Sequence, residues 1–442
     1  MRGVIRDAVD SYERALTAAT TREARAALKA KVGNAYVPLG DPRGLARLEE
    51  SLLELDPASQ TNALALATAL VGRYYHYRTE HTKAIEFLER ARQLAEPLDD
   101  PATLSNICTF LAGAHQHLMQ YDKSDRWARA SIAIGERKQF PLAIALGNEF
   151  LAENAAGRGL WSEALAFAAL DAQEGRKIGS LARVAWSEFC RVQALHGMGE
   201  LAEAYTVALQ ALAMCERIGE GRLATWLEPL AAQIAGDLGD DAAAREHAER
   251  GWARAGALNQ LLLSAWALNG LGQAAMLRDD VATALEWYER YVTLVRDTEN
   301  ALARNLIVAR AAETYFHAGR VDEAARLAEQ AVTFAEFGNA PHYHALARRV
   351  QGQVLLARGQ PDDALHSFDT ALAEFGHIGS RLEAARVLYH RAMVRFAQGE
   401  QAAGRADAER ARDAFTAVGA VHDRARVERL LNEADQTLTP RG

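Results

Sequence analysis

Between Asp322 and Phe337 the apolar positions recur with a helical period. Ala324, Leu327, Ala328, Ala331 and Ala335 fall at i, i+3, i+4, i+7 and i+11 and form one stripe. Stretches of this kind are cut at fixed intervals. Gly159, Gly199, Gly239, Gly319, Gly359 and Gly399 stand forty residues apart, with Asp279 in the gap. Halfway between them stand Gly179, Gly219, Asn259, Asn339, Gly379 and Gly419. Glycine and asparagine tolerate the left-handed backbone just past a helix C-terminus. Each forty-residue unit therefore has two stops and two helices. Pro361 sits where a first helical turn accepts proline.

A second register shares the period. Ala84, Ser124, Ala164, Ala204, Ala244, Ala284, Ala324, Ala364 and Gly404 are all small. Helix axes approach to about 8–10 Å where the contacting side chains are small, so this ladder predicts close pairing within each unit. A period of 20–50 residues marks units that bury their apolar faces only by stacking. The predicted fold is an all-α, right-handed superhelical solenoid of about ten antiparallel helix pairs, one architecture over residues 1–442. Residues 1–20 form an orphan second helix, with Ala8, Tyr12, Ala15 and Leu16 on its face. Residues 21–60 are a first unit, 61–420 are nine forty-residue repeats, and 421–442 are a capping helix. An opening on half a unit suggests an ancestral chain that continued upstream into another domain.

The stretch Gly33-Asn34-Ala35-Tyr36, followed by Leu39-Gly40-Asp41 and closed by Leu53-Glu54-Leu55-Asp56-Pro57, resembles a tetratricopeptide repeat (TPR). Gly72, Ala112, Ala152, Ala232, Gly272, Ala312, Gly352 and Ala392 keep the first small site. Tyr75 and Tyr315 keep the tyrosine, and Ala91, Ala211, Ala331, Ala371 and Ala411 keep the last small site. The period is forty rather than thirty-four and the closing proline is mostly absent, so both helices are longer. This resembles the long-helix variant in the sensor arms of bacterial signal-transduction ATPases and maltose-type transcription activators. The resemblance implies a protein- or peptide-binding scaffold, in a signalling or regulatory arm, that holds its ligand on the concave face. The alternative it implies is a sensor for a small molecule such as an oligosaccharide-like inducer. Neither the ATPase nor a DNA-binding output is visible in these residues. The chaperone-type carboxylate clamp is not expected, because its positions read Glu149, Phe189, Pro229 and Asn269.

Trp186, Trp226 and Trp266 stand in phase on three successive first helices. Seven residues on, about two turns and on the same face, come Gln193, Gln233 and Gln273. Phe189 and Asn269 lie three residues after their tryptophans, and Glu153, Glu313 and Gln353 extend the row. By the resemblance these first-helix positions line the concave groove. Indoles offer large apolar faces with one N–H, and amides donate and accept without a charge. The same tryptophans could instead pack as core between the long helices, and the sequence leaves both placements open. Trp127, Trp161, Trp252 and Trp287 fall in second-helix patterns and read as packing residues.

The net charge of −8 and pI near 6 argue against a nucleic-acid partner. No apolar run reaches the roughly 18–20 residues that span a bilayer, so no membrane partner is expected. The N-terminus lacks a signal-peptide core. Cys108, Cys190 and Cys215 are widely spaced in helical patterns and read as buried thiols of a reducing cytoplasm. Only six of the fifty basic residues are Lys, which suggests a GC-rich bacterial genome. Self-association through exposed end repeats stays open.

There is no P-loop, nucleophile elbow or zinc-protease helix, so no enzyme and no cofactor is expected. Glu149 and Glu153 share a helical face but read as solvated. His115 and His117, like His342 and His344, are two apart and do not face each other on a helix. They read as polar surface or turn residues, and no metal ligands are predicted.

Overall fold

The computed structural model describes residues 2–37, 41–258 and 260–438. Leu39, Gly40 and Asn259, which entered the motif and the stop ladder above, lie outside them. The helices run α1 Arg2–Ala18, α2 Arg22–Tyr36, α3 Arg43–Leu53, α4 Asn62–Tyr77, α5 His81–Ala95, α6 Pro101–His117, α7 Tyr121–Lys138 and α8 Pro141–Gly157. They continue as α9 Trp161–Lys177, α10 Leu181–Met198, α11 Leu201–Ile218, α12 Gly221–Asp237, α13 Asp241–Leu258, α14 Leu261–Met276 and α15 Val281–Val295. The last seven are α16 Ala301–His317, α17 Val321–Phe337, α18 Pro341–Ala357, α19 Pro361–Ile378, α20 Arg381–Ala397, α21 Gln401–Val418 and α22 Val421–Leu438. Among the described residues there is no strand, and consecutive helices pack in pairs as a right-handed superhelical solenoid.

The stops are where the spacing places them. Gly159, Gly179, Gly199, Gly219 and Gly239 have positive φ, as do Asp279, Gly319, Asn339, Gly359, Gly379, Gly399 and Gly419. The twenty-residue rhythm also runs back through Thr79, Asp99, Met119 and Gln139, although no glycine marks them: their φ values are 61°, 48°, 57° and 53°. Helix packing on both sides imposes the left-handed turn there against the preference of the side chain.

The small-residue ladder from Ala84 to Gly404 is buried throughout. The closeness it allows is plain at Gly352, where an added Cβ would lie 2.5 Å from the Phe368 ring. Even-numbered helices also pack against one another from α2 to α20, which places them on the inner side of the coil.

The superhelix is tight enough for its turns to touch. Helices ten apart in order meet as α6 with α16, α10 with α20, and α12 with α22. Glu299 accepts from the Thr82 backbone N–H (2.8 Å) and hydroxyl (2.7 Å). Arg381 donates to the Met198 carbonyl at 3.0 Å and pairs with Glu200 at 2.7 Å. Arg386 pairs with Asp237 at 2.6 Å, and His422 meets Asp241 at 2.8 Å. Gly159 faces Ile378 and Gly239 faces Val421 across the same seam. One apolar cluster joins Leu201, Leu223 and Leu227 to Leu382, Phe415 and Val427, so the seam is a core as well as a polar contact.

Candidate functional site

Stacked turns wall the inner face of the even-numbered helices into a central channel. One cavity of about 330 Å³ is lined from His76 of α4 to Glu383 of α20. Trp186, Phe189, Gln193, Trp226, Gln233, Trp266, Asn269 and Gln273 all line it. Glu313 and Gln353 lie in a second cavity of about 400 Å³. Gln233, Gln273 and Arg310 line both, so the two are continuous along one face.

The tryptophans are half-buried and form both wall and packing. Trp186 meets Phe189 edge-on at 5.9 Å, Phe189 lies 6.1 Å from Trp226, and Trp226 lies 6.4 Å from Trp266. Trp226 and Trp266 also rest on the two large apolar clusters. The amides are unequal. Gln273 donates to Asn269 Oδ1 at 3.1 Å, and the Tyr288 hydroxyl donates to the same oxygen at 3.1 Å. Gln193 Oε1 is buried without a partner. Gln353 lies 2.8 Å from His390 Nε2. Glu313 is neutralised by Arg349 (2.6 Å) and Arg310 (3.3 Å), so it belongs to an ion network rather than to a free polar row.

Charge in the first cavity is segregated. The Arg222 guanidinium lies over the Tyr77 ring at 5.0 Å and the Trp186 ring at 5.5 Å. No carboxylate lies within ion-pair distance of it among the described residues, and its Nε is buried without an acceptor. Burial alone would raise the Tyr77 phenol, but Arg222 and Arg73 turn the net shift downward. Nearby, Glu149 and Asp171 flank Arg183 at 2.7 and 2.8 Å. Glu153 accepts from Gln116 Nε2 at 2.9 Å, and burial followed by the Glu149 charge pushes its carboxyl up to about 7.

Several expectations need correction. Glu149 and Glu153 are not solvated: the turns stacked around α8 put that helix face inside the channel. Of the histidines read as surface residues, His115 is buried and His117 and His342 line the cavity. His344 meets Glu374 at 2.7 Å in a part-buried contact. Trp161 opens a second helix yet lines the cavity, edge-on to His342 at 5.3 Å. Arg222 carried no repeat signal, since its side chain acquires its role from Tyr77 on a distant helix. Three histidines, His76, His81 and His117, present ring nitrogens within 4.8 Å of one another and could hold a metal. The separation of His76 and His117, one residue more than the repeat, was the available sign.

No family model matches the chain, and no curated protein does. Among solved structures it is similar to a Rap protein complexed with competence and sporulation factor. That match has 13% identity and a TM-score of 0.51, covering 76% of this chain and 98% of the other. Aspartyl phosphate phosphatase F from Bacillus subtilis aligns at 11% identity and a TM-score of 0.47, covering 81% and 96%. The Cut9–Hcn1 hetero-tetramer of the APC/C aligns at 13% and 0.43, covering 100% and 92%. At this level of identity the likeness is one of fold, a TPR-like helical repeat.

Proposed function

We propose that this chain is a non-catalytic receptor that takes a short amphipathic peptide into its central channel, as the sensor arm of a bacterial signalling system. The observation that carries the reading is the wall of Trp186, Trp226 and Trp266 facing a cavity whose cation Arg222 has no direct ion-pair partner among the described residues. Stacked indoles supply sequence-tolerant apolar area, and such residues dominate binding energy in buried recognition sites. Arg222 offers a planar fork to a carboxylate, either an acidic side chain or a chain terminus. Continuity of the two cavities through Gln233, Gln273 and Arg310 suits an elongated ligand. A folded protein partner fits less well, because the contacting turns narrow the approach to the inner face. The Rap protein of similar fold was solved with a factor bound, which agrees with the reading.

A compact small molecule is the second reading. It is favoured by the 330 Å³ of the tryptophan cavity alone, since ligand pockets commonly hold about 300–1,000 Å³. Intrinsic tryptophan fluorescence against a random octapeptide library, with a panel of oligosaccharides beside it, separates the two. Peptides with an acidic group should quench the wild type and lose about tenfold or more in affinity with Arg222→Met. Response to sugars alone, or peptide binding indifferent to Arg222→Met, would reject the peptide reading.

A further inference from the structure

We propose that His76, His81 and His117 form a binding site for a divalent transition-metal cation of the zinc class. His76 lies in the last turn of α4 and His81 is the first residue of α5, and the tight turn at Thr79 brings the two together. Helix α6 runs beside α4 and ends on His117. The His76 and His117 rings stack at 4.9 Å, and His81 stands edge-on to both, at 5.3 and 4.8 Å. One nitrogen of each ring lies within 4.8 Å of the others.

The Nδ1 atoms of all three rings are buried and have no hydrogen-bond partner. Three orphaned polar atoms in one cluster of rings are costly, and a shared ligand accounts for them together. Zinc–nitrogen bonds of about 2.0–2.1 Å put tetrahedral ligand nitrogens about 3.3 Å apart, so binding draws the rings inward. The donor set is nitrogen alone, which disfavours calcium and magnesium, which want oxygen, and favours zinc, copper, nickel or cobalt. His76 and His117 line the channel, so a fourth coordination position faces it.

Asn300, from the next superhelical turn, sets the orientation of His81. Its Oδ1 accepts from the Ala303 N–H at 2.8 Å, and its Nδ2 lies 3.1 Å from His81 Nε2. That arrangement makes Nε2 the acceptor and leaves the His81 proton on Nδ1. Coordination through Nδ1 moves the proton to Nε2, where a carboxylate would receive it better than an amide. Asn300→Asp keeps a good helix cap and supplies that acceptor.

The full chain is titrated with cobalt(II) alone and then competed with zinc. The expected result is one equivalent bound, with the intense visible bands of a four-coordinate cobalt site. His117→Ala should weaken binding at least about tenfold at unchanged helicity, and Asn300→Asp should strengthen it about tenfold. Equal affinity of wild type and His117→Ala overturns the proposal. Should His117→Ala lose its helicity, Asn300→Asp decides, and an unchanged affinity there overturns it equally.

Discussion

The indole N–H of Trp266 donates to the main-chain carbonyl of Trp226, 3.0 Å away on the preceding inner helix. The helix that accepts it contains Pro229, which lacks the N–H that would bind the Thr225 carbonyl, so the backbone ladder of α12 is already open on this turn. Two tryptophans forty residues apart are thereby locked at one spacing, which sets the pitch of the aromatic wall.

Replacing Trp266 by Phe keeps one aromatic ring on the wall and deletes this donor with the rest of the indole. The expected cost is at least about 1 kcal/mol, measured as a lower thermal midpoint, with weakened peptide quenching. Trp226→Ala should cost about 3 kcal/mol, because Trp226 packs on two apolar clusters as well as lining the cavity. Were its midpoint unchanged, the packing half of this account would be wrong.

Ala324 is fully buried near the N-terminal end of α17. Ala324→Leu overpacks the pair and should cost about 1–3 kcal/mol. A chemical denaturation curve superimposable on wild type would mean that the small ladder is not a packing constraint.

The register of these elements was open to reading from the chain itself. Glycine at 159, 199 and 239 announces a stop because the backbone needs positive φ there, and Ala324 announces a close approach because nothing larger fits. The rhythm at Met119 and Gln139 was hidden, since packing rather than residue preference forces those turns. The tryptophan and glutamine positions of the channel were legible for the same reason as the stops: they repeat. Arg222, Trp161 and the three histidines were not. Their surroundings come from residues far along the chain, such as Tyr77 beside Arg222 and Asn300 beside His81, and a forty-residue ladder reports only the neighbouring unit.

Glu153 links stability to pH. Its folded value of about 7 stands above the ordinary 4.5, so the fold favours the protonated carboxyl. That contribution is complete below about pH 4.5 and lost as pH rises through 7. The thermal midpoint should fall between pH 5 and pH 8, and Glu153→Gln should flatten the fall. An equal fall in the variant would assign the effect elsewhere.

Arg386 holds Asp237 at 2.6 Å across the seam, and Glu383 at 2.7 Å and Asp423 at 2.8 Å on its own side of it. Burial would raise the Asp237 and Glu383 carboxyls, but Arg386 and, for Glu383, Arg310 hold them below their usual range. The wild type should therefore lose stability as pH falls through these low values. Arg386→Met takes one shared cation from three carboxylates and should cost about 3 kcal/mol near pH 7, with Glu383 keeping Arg310 at 2.7 Å, Asp237 keeping His196 at 2.9 Å and Asp423 keeping Arg426 at 3.4 Å. Because protonation relieves that repulsion, the gap from wild type should narrow towards pH 4. A gap constant from pH 7 to pH 4 would contradict this.

The contact of Gly159 with Ile378 and of Thr82 with Glu299 makes the coil a closed spring. Stretching such a spring along its axis parts the seam before any helix pair unfolds, because the seam is held by fewer bonds than each hairpin. A small extension therefore separates the stacked turns beside the cavity while the hairpins stay paired.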